Sequence, residues 1–244
     1  MIPLLTLFLA ASFDLKTGVD YLVVDVRTRE VLQQQWTDAG APIPVGSLVK
    51  PFTALAYSGN FPEFICRGAA DRCWLAHGHG RLVFRDALAQ SCNAYFLNLA
   101  REVDPATLAV VASKFGIPAP AADTAEARIG LGKEWRISPL ALARAYAELA
   151  ARASESRVAD ILAGMRTAAR NGTASALGRD SIVLAKTGTA PCVAERNHRG
   201  DGFTIVLDPA DAPRTVLLVR VHGVPGAEAA KSAGHLMRAL RGTQ

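Results

Sequence analysis

Strand-forming stretches lie at the two ends of this chain, and helical spacing fills most of what lies between. Tyr21-Leu22-Val23-Val24-Asp25-Val26 and Val31-Leu32-Gln33-Gln34-Gln35-Trp36 flank a turn near Thr28-Arg29-Glu30 and read as a hairpin. Toward the other end, Ser181 to Lys186, Gly202 to Leu207 and Arg214 to His222 read as three further strands, closed by a helix from Ala227 to Arg241. In the middle, apolar residues recur at helical intervals over Pro105 to Phe115, Ser138 to Ala153 and Val158 to Arg170. Short helices are expected over Phe84 to Gln90 and Ala94 to Glu102, and residues 61 to 83 read as irregular. The hairpin near the N-terminus and these three strands could pair into one sheet, with helices before and after covering its faces. The expected fold is α+β: one five-stranded antiparallel sheet flanked by helices, with a helical lobe over about 60–170 inserted between the sheet segments. The 244 residues suffice for one such domain, read here as 14–244.

The charge pattern excludes one class of partner. The net charge of +5 is modest, and no Lys/Arg block is interleaved with aromatics, so nucleic acid is not expected. The apolar run Ile2 to Ser12 is too short to span a bilayer as a helix and looks like the core of a secretion signal. Read so, residues 1–13 are a remnant signal segment and the protein is exported, periplasmic or otherwise extracytoplasmic. The absence of Lys or Arg before Lys16 leaves a buried first strand open as the other reading.

Chemistry concentrates first at Ser47 and Lys50, three residues apart at the head of an expected helix running to Ser58. At that spacing both side chains share one face. A serine hydroxyl is a poor nucleophile until a base takes its proton, and a neutral amine one turn away can be that base. Neutrality requires burial or a second cation nearby. Alone, the pair is weak evidence and reads first as a solvated helix start. Two further stretches change its weight: Ser91-x-Asn93, in the break between two expected helices, and Lys186-Thr187-Gly188-Thr189, at the end of an expected strand. Ser-x-x-Lys, Ser-x-Asn and Lys-Thr-Gly in this order form the signature of acyl-serine enzymes that act on peptidoglycan or on β-lactams.

On these motifs the chain resembles the transpeptidase domain of the class B penicillin-binding proteins, in particular those of the elongation type. Val45 to Pro51 looks like that family's Pro-Gly-Ser-x-x-Lys-Pro, with Val in place of Pro, and Ser91 to Phe96 like its second motif. Gly130-Leu131-Gly132, Ile137 to Ala143, Met165-Arg166, Asn171 to Ala174 and Ala185 to Ala190 extend the likeness from about Tyr21 to His222. The resemblance implies Ser47 as nucleophile and Lys50 as its base, Ser91 as a proton relay and Asn93 as a holder of a substrate amide. It implies that Lys186, with Thr187, Gly188 and Thr189, holds the terminal carboxylate of a D-Ala-D-Ala stem peptide, or that of a β-lactam inhibitor. The N–H groups of Ser47 and Thr189 would form the oxyanion hole, and like-charge repulsion from Lys186 would help keep Lys50 neutral. A wall-synthesis protein is the implied partner, and catalysis needs no cofactor.

Two other functions stay open. The compact spacing of the motifs is similar to that of class D β-lactamases, although Asn93 puts an amide where those enzymes carry a hydrophobic residue. An acylatable sensor or inactive scaffold of wall synthesis is the third.

Cys66, Cys73 and Cys92 cluster in sequence with His79. A Cys66–Cys73 disulfide would close a small loop, and a Cys₃His set would suit a tetrahedral structural zinc. The elongation-type relatives are understood to carry Asp, Asp, His and Cys at positions that look like these four, and the implied effect is to tie the irregular segment to the Ser91 turn. His77 and Cys192 are given no role.

Overall fold

The computed structural model describes residues 18–178, 182–191 and 200–242. The expected signal segment 1–13 and Cys192 lie outside the described residues. Strand β1 (Val19–Asp25) and strand β2 (Val31–Gln35) form the expected hairpin, turned by Arg29 at φ 63°. A two-residue strand, β3 (Ile43–Pro44), leads into a 3-10 turn at Gly46–Val49 and directly on into helix α1 (Lys50–Ala56). Strand β4 (Phe64–Cys66), a second 3-10 turn at Gly68–Asp71 and strand β5 (Gly80–Leu82) follow. Then come α2 (Phe84–Ala89), α3 (Asn93–Arg101), α4 (Pro105–Lys114), the single turn α5 (Ala125–Arg128), strand β6 (Arg136–Ile137), α6 (Pro139–Ala151) and α7 (Ser156–Asn171). Strands β7 (Leu184–Ala190), β8 (Asp201–Asp208) and β9 (Thr215–Val221) and helix α8 (Gly226–Gly242) complete the described chain.

The two ends meet in the expected five-stranded sheet. The sheet order is β2-β1-β9-β8-β7, antiparallel throughout, with Leu22 opposite Leu218 where the N-terminal hairpin joins the C-terminal strands. Strand alternation divides the sheet between two cores. Leu22, Val24, Phe203, Ile205, Leu207, Val216 and Leu218 face the helical lobe, together with Leu48, Phe52 and Tyr146. Tyr21, Val23, Ala185, Val206, Leu217 and Val219 face α8 through Ala230, Ala233, Leu236 and Met237. Local signals start the long helices: Asp104 and Ser138 accept from the N–H groups of Thr107 and Ala141, and a proline with a preset φ fills the first position of α4 and α6.

Three expectations are corrected. The helix carrying Ser47 and Lys50 opens as a 3-10 turn and ends at Ala56, with Tyr57 already extended, rather than running to Ser58. Residues 61 to 83 hold the β4–β5 hairpin, whose three-residue strands are too short to show a period. The third motif lies within a strand, since β7 begins at Leu184 and runs on past Lys186 to Ala190, while Ser181, the expected start, lies outside the described residues. Gly188 looks like a strand terminator but answers a packing need, because a Cβ there would sit 2.7 Å from the Val45 carbonyl oxygen.

One buried contact fixes the turn beneath the serine. The Tyr146 hydroxyl donates to the Leu48 carbonyl at 2.7 Å, and the tyrosine is fully buried. Tyr146→Phe removes this buried donor and should cost about 1 kcal/mol. At roughly 2–4 °C per kcal/mol for a domain of this size, a fall in Tm of a few degrees by calorimetry is the expected outcome.

Candidate active site

The 3-10 turn places Ser47 half-buried at the mouth of α1 and swings Lys50 inward, where it is 0 % exposed. The Lys50 ammonium donates to the Ser91 carbonyl at 2.8 Å, to Ser91 Oγ at 3.3 Å and to Asn93 Oδ1 at 2.8 Å. From the opposite side Lys186, also 0 % exposed, donates to Ser91 Oγ at 2.8 Å and to the Thr187 carbonyl at 2.8 Å. Ser91 therefore sits between two buried amines. Its backbone adopts φ 50°, rare for a residue with a side chain and held here by Ser91 N–H to the Leu88 carbonyl and Cys92 N–H to the Ala87 carbonyl.

Burial drives the Lys50 pKa down to about 7, partly opposed by the Cys92 and Cys73 thiols. Lys186 is pushed well below the usual lysine range, first by burial and then by the charge of Lys50. At Lys50 burial is the cause of the lowering, and repulsion from Lys186, expected to help, is not among its causes; the repulsion acts on Lys186. Two adjacent amines that resist protonation, sharing one hydroxyl, make a path along which a proton can move at neutral pH.

Close backbone packing holds the edge strand β7 against this turn. Gly46 has φ 59°, and a Cβ there would lie 2.3 Å from the Thr189 carbonyl oxygen. Thr189 is exposed, and its Oγ1 accepts the N–H of Gly226 at the start of α8 at 2.9 Å. Thr187, two residues before it on the same face of the strand, is buried, and its hydroxyl donates to Thr173 Oγ1 at 2.6 Å, just past the end of α7. The three motifs thus come together, but of the two threonines expected to meet a carboxylate only Thr189 is exposed. Sequence reading gave no role to Thr173, Gly46 or Tyr146 individually. Thr173 lies in a stretch already singled out, whereas Tyr146 sits in an ordinary apolar helix and carries no separate signal.

Behind Asn93, the ligand atoms of Cys66, Cys73, His79 and Cys92 all lie within 4.8 Å of one another. Cys73 Sγ is 3.8 Å from Cys92 Sγ, and His79 Nδ1 is 3.6 Å from Cys66 Sγ and 3.5 Å from Cys73 Sγ. Bonds of ~2.3 Å to sulfur and ~2.0 Å to nitrogen in a tetrahedron put sulfurs ~3.8 Å apart and sulfur and nitrogen ~3.5 Å apart, so the donor set fits a zinc ion. Cys66, Cys73 and Cys92 are free thiols, so the loop-closing Cys66–Cys73 disulfide is not formed. Burial, then the charges of Lys50 and His77, lowers the His79 pKa and favours the neutral ring a metal needs. His79 Nε2 is buried without a hydrogen-bond partner. His77 is exposed and outside the cluster.

A half-exposed serine at a helix start, buried amines behind it and an edge strand along it define an active-serine acyltransferase on an α+β sandwich. The model of the penicillin binding protein transpeptidase domain matches residues 21–241, and the chain belongs to that family. Among solved structures, Pseudomonas aeruginosa PBP2 in complex with WCK 5153 aligns at TM-score 0.77 and 19% identity, over 91% of this chain and 71% of that one. Helicobacter pylori PBP2 in complex with MreC aligns at 0.78 and 17%, over 92% and 60%. The transpeptidase domain of the FtsI4 D,D-transpeptidase from Legionella pneumophila aligns at 0.68 and 23%, over 91% and 89%. At these identities the likeness is one of fold. No match was found among curated proteins.

Proposed function

We propose that this chain performs D,D-transpeptidation or carboxypeptidation of peptidoglycan stem peptides through an acyl-Ser47 intermediate. The observation that carries the reading is the buried Lys50–Ser91–Lys186 relay beside a half-exposed Ser47. Ser47 Oγ attacks the carbonyl of the penultimate D-Ala while Lys50 Nζ takes its proton. The C–N bond then breaks, and Ser91 returns the proton to the departing D-Ala amine. An acceptor amine, or water, attacks the ester and regenerates Ser47. Asn93 holds a substrate amide, and Lys186 with the exposed Thr189 attracts the terminal carboxylate, with the Gly188 backbone alongside and Thr187 buttressing the strand. The close approach of Gly46 and Thr189 supports an oxyanion hole built from the N–H groups of Ser47 and Thr189.

Zinc at Cys66, Cys73, His79 and Cys92 is the second part of the proposal. Bound, it supplies a structural crosslink and no chemistry of the reaction, tying the 66–79 segment to the turn that carries Ser91 and Asn93. A β-lactam is the expected inhibitor, the substrate places the chain outside the cytoplasm, and a wall-synthesis protein is the expected partner. No helix among the described residues is long and apolar enough to cross a membrane.

Intact-protein mass spectrometry with benzylpenicillin tests the reading. A one-drug adduct that forms on wild type, persists over an hour and is absent from Ser47→Ala is the expected result. Rapid loss of the adduct with accumulation of hydrolysed drug would instead mark a β-lactamase. No adduct on either protein would overturn the catalytic assignment.

A further inference from the structure

The four-residue cluster holds three thiols, and thiols, unlike carboxylates, can be oxidised. Cys73 Sγ and Cys92 Sγ stand 3.8 Å apart, so a bond of ~2.05 Å asks the sulfurs to close by under ~2 Å. Cys73 is 8 % exposed and Cys92 0 % exposed, so a soluble oxidant reaches Cys73 first. Cys92 is flanked by Ser91 and Asn93, which accept from Lys50, and it caps α3 by accepting the Tyr95 N–H. A sulfur that moves here moves the catalytic turn.

We propose that Cys73 and Cys92 form an oxidative modification site, a disulfide that excludes the metal and switches off acylation. Cys73 Sγ attacks one sulfur of a low-molecular-weight disulfide such as oxidised glutathione. That S–S bond breaks, and one thiol leaves. Cys92 Sγ then attacks Cys73 Sγ in the mixed disulfide, the second thiol leaves with the Cys92 proton, and the two electrons reside on the two released thiols. Only Cys66 and His79 remain as donors, too few for a closed tetrahedral site. Metal and disulfide are therefore alternatives, and an oxidising compartment is where the choice arises.

The readout through acylation rests on Ser47 being the nucleophile, so the test carries measurements that do not. The full chain with Cys192→Ser, with and without Ser47→Ala, is treated with a chelator and then with oxidised glutathione. Peptide mapping, intact mass and a zinc-sensitive dye are followed alongside acylation by benzylpenicillin. Expected are a mass lower by two hydrogens, a mapped Cys73–Cys92 link in both proteins, failure to rebind added zinc, and acylation slowed about 100-fold, as misplacement of a catalytic group by about 1 Å can produce. Reductant and zinc together should restore the rate. Cys73→Asp removes the attacking thiol yet keeps a ligand, and should bind zinc and be insensitive to the oxidant. A different pairing, no loss of hydrogens, zinc rebinding by the oxidised protein, or a Cys73→Asp variant as sensitive as wild type would overturn the proposal. If reduced, zinc-loaded protein were never acylated, the catalytic reading would fail while the link and zinc measurements still judged this one.

Discussion

Replacing Lys50 by methionine should slow acylation of Ser47 by about 10³-fold, within the 10²–10⁴ range of a lost general base. Methionine keeps much of the buried volume and removes the only amine one turn from Ser47 on the same helix. Ser91 O and Asn93 Oδ1 would lose their 2.8 Å donors, a cost offset by no longer burying an amine that is 0 % exposed. The variant should therefore stay folded by circular dichroism, which separates a chemical defect from a structural one. Wild type should also show a pH signature. Because burial sets Lys50 near 7, the active neutral amine is scarce below that value and dominant above it. The second-order rate constant with benzylpenicillin should climb about tenfold per pH unit below ~6, bend near 7 and level off beyond it. Lys50→Met should lack that limb. A wild-type profile flat from pH 5 to 9, or a methionine variant acylated at near wild-type rate, would remove Lys50 from the mechanism.

How such a site could be seen without coordinates is a matter of range. Ser47 and Lys50 are related by helical geometry alone, so three-residue spacing sufficed, and the 3-10 form of the turn did not alter which face they share. Ser91 and Lys186 are far from both in sequence, and only the ordered motif set could assign them to one place; their common hydrogen bond is the product of two separate packings, α3 against α1 and β7 against the 3-10 turn. The sheet was legible because strands at the chain ends had nowhere else to pair. What stayed hidden is what depends on a partner remote in sequence. Alternation puts Thr187 and Thr189 on the face of β7 opposite Lys186, and the sequence could not show that Thr187 is covered there by Thr173 while Thr189 is left exposed. The displaced limits of β7 have the same origin: Gly188 lowers local strand propensity, and only the Val45 carbonyl pressing on it shows why a glycine stands in a strand. The thiol cluster was legible as a set of donors, whereas the 3.8 Å approach of Cys73 to Cys92 required the β4–β5 hairpin to fold back on the start of α3.

The second large effect belongs to a residue with no functional group. Gly46→Ala should nearly abolish acylation although Ser47, Lys50, Ser91 and Lys186 are all untouched. Gly46 holds φ 59°, which strains any residue with a Cβ by about 1–2 kcal/mol. More important, that Cβ would meet Thr189 O at 2.3 Å, Thr189 C at 2.7 Å and Thr189 N at 2.9 Å. All three are backbone atoms of a paired strand, so no side-chain rotation relieves the clash. Strand β7 is held from behind by its ladder to β8 and by Gly226 N–H on Thr189 Oγ1, so the 3-10 turn is the part that must move. A shift of about 1 Å would part the Ser47 and Thr189 N–H groups by enough to spoil a shared oxyanion site, a contribution typically worth 10²–10³ in rate. The expected outcome is a fall of about 100-fold or more in the acylation rate constant. Tm should drop as well, but Lys50 should remain buried and zinc content unchanged, because the atoms nearest the added Cβ all belong to Thr189 and none to α1 or the cysteine cluster. The informative comparison is Gly188→Ala, whose Cβ would approach the Val45 carbonyl at 2.7 Å and the Leu48 Cγ at 3.0 Å from the strand side. Both substitutions wedge the same interface, so both should slow acylation while leaving the pH midpoint near 7. If Gly46→Ala were acylated at the wild-type rate, the contact between the turn and β7 would be structural packing alone, and the oxyanion hole would have to lie elsewhere.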